Sequence, residues 1–429
     1  MNNKIGNLFK GDKVIWMVFF FLCIISIIEV YSASSQLTYR RGNYLWPVIY
    51  HSSILAVGIF CTVVTLNIPC RFFKVFTPFL LIASVLSLVA VFFVGKVNDA
   101  ARWISILGIK FQPSEIAKGT LILATAQILS ALQRENGADK NAMQYILIVC
   151  AAIIPLILVE NFSTAALLCF VIFLMMIIGR IPWRQLGKLI TGTVVAVALF
   201  IGIVMVLGDT SDQNDTRMTA SYELADEGSV QEEPQEKSGM SKIFHRFGAW
   251  KMRIEDFTNP DPKSKYDLKE KPQRIHANIA VGTSGIVGRG PGNSVERDFL
   301  PQAYSDFIFA IIIEELGLIG GAVVAVLYII LLFRTARIAK RCANNFPAFL
   351  AMGLALLLVT QALFNMFVAV DLAPITGQPL PLISKGGTSS VINCIYIGVI
   401  LSISRSAAVK KDDDSQQPAT VAQATANNN

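Results

Sequence analysis

The chain has 429 residues, of which 53% are hydrophobic and only 16% charged, too little charge to cover a water-soluble domain of this length. Its net charge of +7 would suit a nucleic-acid binder, but much of the excess sits in short loops between apolar runs. A positive-inside bias explains it there, and no nucleic-acid partner is implied. Seven cysteines without close pairs and three scattered histidines fit neither a disulfide framework nor a metal site.

Apolar runs long enough to cross about 30 Å of hydrocarbon fall at 14–33, 45–67, 74–95, 113–131, 142–160, 162–180, 187–208, 306–334, 347–371 and 389–406. They predict an all-α polytopic membrane protein of about ten transmembrane helices, with a long extracytoplasmic loop between spans seven and eight. The chain then divides into a cytoplasmic N-terminus (1–13), spans one to seven (14–208), the loop (209–305), spans eight to ten (306–406) and a disordered cytoplasmic tail (407–429). Lys4, Lys10 and Lys13 precede the first span and no small-residue cleavage site follows it, so it reads as an anchor. Arg71, Arg134, Arg180, Arg334 and Arg405, each with further basic neighbours, fall in alternate loops and place both termini in the cytoplasm. Arg40 and Arg41 lie in an outside loop without reversing that balance.

Charge inside a membrane is costly, so each instance invites a functional reading. At the start of span four, Gln112-Pro113-Ser114-Glu115 is followed by Lys118. Pro113 suits a first helical turn, and Glu115 and Lys118, three apart, share one face. They either meet a polar cavity or form an ion pair that ties helices together. In the long loop, 209–237 is polar and reads as mobile. Met240–Phe257 interleaves apolar and basic residues, as a surface-lying helix or as a loop packed on the protein. Gly282, Gly285, Gly288, Gly290 and Gly292 lack the order of a nucleotide fingerprint and read as tight turns and close chain approaches.

Asp306 follows, where span eight begins, either as a helix-terminal acid or at a polar cavity. Glu314 and Glu315 lie about two turns deeper, Glu314 about 80° around from Asp306 and Glu315 pointing away. One of these carboxylates is expected to border an outward cavity and the other to bind a neighbouring helix. A second loop, Pro374–Pro381, leads to Ser384-Lys385-Gly386-Gly387-Thr388. It either offers exposed donors to an anionic sugar–diphosphate headgroup or forms a rigid re-entrant turn.

Taken together, these segments resemble the SEDS family of polytopic cell-envelope proteins, from about residue 12 to 406. The resemblance rests on Ala101-Arg102-Trp103-Ile104, the Gln112–Lys118 cluster, the late long loop, Asp306–Gly317 and Pro381–Ser390, in the family's order. Gly290–Ser294 looks like the division-associated FtsW branch rather than the elongation-associated RodA branch. The resemblance implies a peptidoglycan glycosyltransferase of the bacterial cytoplasmic membrane, at the division septum. Such an enzyme polymerises lipid II and releases undecaprenyl diphosphate, with a class B penicillin-binding transpeptidase and other division proteins as partners.

Asp306 matches the family's essential acid and would be the catalytic base. Arg102 and Lys118, with Glu115 orienting Lys118, would meet the diphosphate. Lys385, Ser384 and Thr388 are further substrate-binding candidates, and Glu160, Glu314 and Glu315 structural or accessory ones. A divalent cation suits the reaction class, but no ligand set identifies one. The sequence departs from the family at Pro301-Gln302-Ala303-Tyr304-Ser305, which lacks an accessory glutamate. Glu160-Asn161-Phe162-Ser163-Thr164 shifts an acid, and Lys385 replaces an aromatic residue. A lipid II flippase and a non-catalytic division scaffold are the alternatives.

Overall fold

The computed structural model describes residues 10–34, 45–93, 104–106, 109–135, 137–207, 272–300 and 303–426. Arg102, segments 209–237 and 240–257, and the Pro301-Gln302 pair lie outside these residues. The helices are α1 (Lys13–Ala33), α2 (Trp46–Asn67), α3 (Cys70–Phe93), α4 (Pro113–Ala131), α5 (Ala142–Glu160), α6 (Phe162–Ile178), α7 (Trp183–Leu207), α8 (Pro272–Thr283), α9 (Ile308–Ala339), α10 (Asn345–Ala369) and α11 (Thr388–Ala426). Two short antiparallel hairpins join them: β1 (Ile104–Ile106) with β2 (Ile109–Phe111), and β3 (Gln133–Arg134) with β4 (Gly137–Ala138). A helix satisfies its own backbone bonds, which is what hydrocarbon demands of a spanning segment.

Each expected span is helical, but the count of about ten is corrected. Among the described residues seven helices are long and apolar enough to cross a membrane: α1, α2, α3, α5, α9, α10 and the Thr388–Ala407 part of α11. The 17 residues of α6 reach only about 26 Å. Glu115 and Lys118 lower the apolarity of α4. At the other terminus, α11 continues to Ala426, through residues expected to be disordered.

The centre of the bundle is α4, α10 and α11; α11 packs along α2, and α10 lies between α9 and α4. Thr62 on α2 donates to the Cys394 carbonyl on α11 at 2.9 Å. Small residues let these backbones come close. At one end, Asp12 caps α1 through Val14 N and Ile15 N and takes both of its short bonds, 2.9 and 2.8 Å, from Arg334 Nε. Its own N–H donates to Ser404 Oγ at 2.9 Å. The start of α1, the late part of α9 and the late part of α11 therefore share one end, and Asp306 lies toward the other.

The helix α9 is broken. Gly317 has φ 71 and ψ −174, and residues 308–315 before it are buried on every side, whereas Leu318, Ile319, Val323, Val326, Ile329 and Phe333 beyond it are exposed. The glycine loop after α8 is stitched into the break. Arg289 N and Gly290 N donate to the carbonyls of Glu314 and Glu315 at 3.0 and 2.8 Å. Leu318 N and Ile319 N donate to those of Gly285 and Ile286 at 3.2 and 3.3 Å. Groups orphaned by the break thus find partners, as irregular backbone at membrane depth requires.

Only glycine fits here: a Cβ on Gly288 would lie 2.3 Å from Gly317 N, and φ at Gly288 is +83°. Gly288→Ala should destabilise the detergent-solubilised protein by about 3 kcal/mol or more. At Gly292, where nothing lies within 4 Å, Ala should cost only the left-handed backbone strain, about 1–2 kcal/mol. Thermal unfolding measures both, and equal effects would contradict the stitched arrangement.

Candidate active site

Asp306 sits in the turn 303–307 that leads into α9. The cap position of that helix is Phe307, not Asp306. Ser305 Oγ donates to Asp306 Oδ1 at 3.0 Å. The turn is held from behind through successive carbonyls. Lys385 N donates to Tyr304 O at 3.0 Å, Ser384 Oγ to Ser305 O at 2.6 Å, and Asn365 Nδ2 to Asp306 O at 2.7 Å. On the carboxylate side, a Cβ at Gly377 (φ +66) would come within 3.3 Å of Asp306 Oδ2, so this wall lies against the acid.

The loop that supplies these contacts is rigid. Its carbonyls at Gln378, Pro379, Pro381 and Ile383 accept from Asn365, Gln361, Tyr328 and Ser26, and Leu382 is held, buried, at φ 67. A non-glycine residue at positive φ is uncommon and persists where surroundings over-determine it. Ser384 Oγ is spent on Ser305 O and on Leu380 N, which donates to it at 2.7 Å. Lys385 places its ammonium 4.7 Å above the Tyr304 ring, within cation–π range. Of the two readings of this loop, Ser384 fits the rigid turn, since its hydroxyl fastens the Asp306 turn. Thr388 is the first residue of α11.

The second charged centre is on α4. Pro113 opens the helix and puts Glu115 in its first turn, where an acid complements the helix dipole. Lys118 Nζ lies 2.9 Å from Glu115 Oε1 and donates to Gln361 Oε1 at 3.1 Å; both charged side chains are buried. Gln361 Nε2 in turn donates to Pro379 O at 3.0 Å. Gln361 and Asn365 are one turn apart on α10, about 6 Å along its axis. They grip the consecutive residues Pro379 and Gln378, so one loop strand ties the Lys118 centre to the Asp306 turn. Glu115 Oε2 and Ser114 Oγ are buried without hydrogen-bond partners, the condition that invites a bound polar group or water.

The remaining acids do other work. Glu314 accepts from Ser294 Oγ at 2.5 Å, Val295 N at 3.0 Å and Arg289 Nη1 at 3.1 Å. Glu315 accepts from Gly292 N at 2.8 Å and from Ser32 Oγ of α1. The expectation that one of the two borders a cavity is corrected: both are fully buried and clamp the 289–297 loop beside the helix break. Glu160 is buried at the end of α5, next to Asn161, which caps α6 through Ser163 N and Thr164 N. Thr164 Oγ1 accepts from Gln378 Nε2 at 2.7 Å, so this segment also braces the site loop.

Among the described residues no group of three His, Cys, Asp or Glu side chains is placed to hold a metal. The described residues therefore offer no ligand set for the divalent cation that the reaction class allows. A cleft of about 610 Å³ between α5, α6 and α7 is lined mainly by apolar residues such as Met143, Leu147, Phe162 and Val197, and holds none of the site residues. Sequence reading missed Gln361 and Asn365, and it singled out Gly377 and Gln378 only as part of the Pro374–Pro381 loop. The signal for the first two was two amides four apart in an otherwise apolar span.

The profile of the FtsW/RodA/SpoVE family of cell cycle proteins matches residues 12–227 and 240–409. The chain belongs to this family. The SEDS resemblance read from the sequence therefore holds. The probable peptidoglycan glycosyltransferase FtsW of Hahella chejuensis is 30% identical over 409 residues, covering 92% of this chain and 91% of its own. The FtsW of Coxiella burnetii is 28% identical over 402 residues, with 90% and 95% covered. The peptidoglycan glycosyltransferase MrdB of Escherichia coli K12 is 26% identical over 403 residues, with 91% and 93% covered. Among solved structures, a chain of a peptidoglycan synthase complex superposes with a TM-score of 0.66 at 22% identity, over 92% of this chain and 98% of that one. The rod shape determining protein RodA of Thermus thermophilus gives 0.58 at 20% identity, over 93% and 98%. These two share the fold of this FtsW/RodA-family chain.

Proposed function

We propose that this chain is a peptidoglycan glycosyltransferase that polymerises lipid II into glycan strands during cell division and releases undecaprenyl diphosphate. The observation that carries the reading is the Tyr304–Asp306 turn. Its three carbonyls are fastened by Lys385, Ser384 and Asn365 so that one carboxylate is held in place at the start of a buried half-helix. Relatives named as peptidoglycan glycosyltransferases add support along almost the whole chain.

In this reading the acceptor sugar's 4-hydroxyl attacks the anomeric carbon of the lipid-linked donor. The new glycosidic bond forms as the bond from that carbon to the diphosphate oxygen breaks, and the hydroxyl proton passes to the Asp306 carboxylate. A general base must stand within hydrogen-bond reach of the proton it takes, which is what a fastened turn secures. The leaving diphosphate gains negative charge, and Lys118 offsets it from a low-dielectric site where a fixed charge acts strongly. The Lys118 ammonium has three donors, and two have partners, Glu115 and Gln361. Glu115 keeps the ammonium oriented. Arg102 is proposed as a further diphosphate contact.

The proposal places both termini in the cytoplasm and has the Asp306 end facing outward. In a background cleared of native cysteines, single cysteines at Ser229 and Asn278 should label with an impermeant thiol reagent in intact spheroplasts. Cysteines at Asp139 and Lys340 should not, and outside labelling at Lys340 would overturn the map. The proposed partner is a single-pass class B penicillin-binding transpeptidase. Its span would cover the exposed α9 stripe of Leu318, Val323, Val326 and Ile329. Purified protein in proteoliposomes, with and without that partner, should convert lipid II to lysozyme-sensitive strands. Headgroup transfer across the bilayer without strands would favour a flippase, and strands formed only when a separate polymerase is added would favour a scaffold.

A further inference from the structure

We infer that Asn365 is a positioning residue for Asp306, an inference that rests on the catalytic reading of that acid. Asn365 is buried in the last turns of α10. Its single amide nitrogen donates at 2.7 Å to Asp306 O and at 2.7 Å to Gln378 O. Both N–H bonds of one side chain therefore go to two chain segments that meet at the acid. The first is the turn that carries Asp306, and the second begins beside Gly377, where an added Cβ would lie 3.3 Å from Asp306 Oδ2.

Asp306 lies outside regular secondary structure, so no helical ladder fixes it. The two other anchors of its turn act one and two residues earlier, on Ser305 O and Tyr304 O. The carbonyl of Asp306 itself is gripped by Asn365, and the same grip sets the gap between the acid and its wall. The geometry is selective for asparagine. Aspartate has the shape without the donors, leucine has a similar volume without polarity, and glutamine adds a methylene that would push the two segments apart. Asn365 Oδ1 is buried without a partner, so the residue is retained at the cost of an unsatisfied acceptor. Such a cost fits a residue kept for its two donors.

The consequence is on turnover rather than on substrate affinity. A misplacement of about 1 Å at a reacting group costs on the order of a hundredfold in rate. Lipid II itself is held by other groups. The test measures, on purified full-length protein, the number of lipid II molecules bound per chain, the affinity for lipid II, and turnover per binding site. Wild type, Asn365→Leu and Asp306→Asn are compared.

Asn365→Leu should bind as many lipid II molecules per chain as the wild type, with affinity within about threefold, while turnover per site falls by about tenfold to a hundredfold. A merely structural role would instead reduce the number of competent sites and leave turnover per site unchanged. That outcome, or wild-type behaviour throughout, overturns the inference. If Asn365→Leu does not accumulate, Asn365→Asp, the same shape without donors, is read by the same two outcomes. The Asp306→Asn arm separates the two levels. Normal turnover there removes the catalytic reading and this inference with it. Lost turnover there with normal turnover in Asn365→Leu removes the positioning role alone.

Discussion

Asp306→Asn should lower lipid II polymerisation by at least about a hundredfold, the usual scale for a lost general base, with little change in membrane yield. The substitution keeps the side chain's size, and an amide can still accept the bond from Ser305 Oγ. The turn keeps its three carbonyl anchors, none of which involves the carboxylate. The side chain's volume is kept, so no cavity is created. Were Asp306 a helix cap, Asn would serve as well, and the cap position is in any case Phe307. Polymerisation by the purified variant, with folding checked by size exclusion, decides between the two roles. Near-normal rates would remove Asp306 from the chemistry.

Lys118→Met carries the second large effect, and it has two separable parts. Removing the ammonium leaves Glu115 buried without its counter-charge, which typically costs about 3–5 kcal/mol for a broken buried pair. It also withdraws positive charge from the leaving group, on the order of a hundredfold or more in rate. The double variant Glu115→Gln with Lys118→Met removes both charges and should regain most of the lost stability, because two neutral groups carry no unpaired buried charge. Its polymerisation should stay low. Thermal unfolding in detergent and a rate assay on the same preparations measure the two parts. If activity returns together with stability, the pair only ties α4 into the bundle, and Lys118 has no part in diphosphate departure.

The elements most visible in the sequence were those governed by local rules. Length and apolarity located the helices, and Pro113 with Glu115 marked the start of α4. The glycines at 285, 288, 290 and 292 read as turns and close approaches, and each has positive φ. Gly282 instead lies within α8.

Long-range partnership was not visible. Nothing local in Ile308–Ala339 announces that Gly317 breaks the helix, because the break is stabilised by a loop about thirty residues earlier. The directions of Glu314 and Glu315 were misjudged for the same reason: an unbroken helical wheel ignores the Gly290–Arg297 loop that claims both acids. Asn365 and Asp306 meet across 59 positions, and no spacing rule joins an amide in one span to a carbonyl in another. The count came out lower in α4 because that helix carries the buried Glu115–Lys118 pair, and in α6 because it is only 17 residues long. Ser384 and Lys385 were legible as polar residues beside the acid, but their use as fasteners depends on the fold.

The central claim is that this chain itself forms glycosidic bonds from lipid II, with Asp306 as the base. The most direct measurement follows both products in one reaction: glycan strand and released undecaprenyl diphosphate. It uses the purified full-length protein and the proposed transpeptidase partner, which carries no glycosyltransferase domain of its own. The account predicts one undecaprenyl diphosphate released for each glycosidic bond formed by the wild-type protein, and loss of both products together in Asp306→Asn. No strand from the wild type in the presence of its partner, or equal yields of both products from Asp306→Asn, would contradict it.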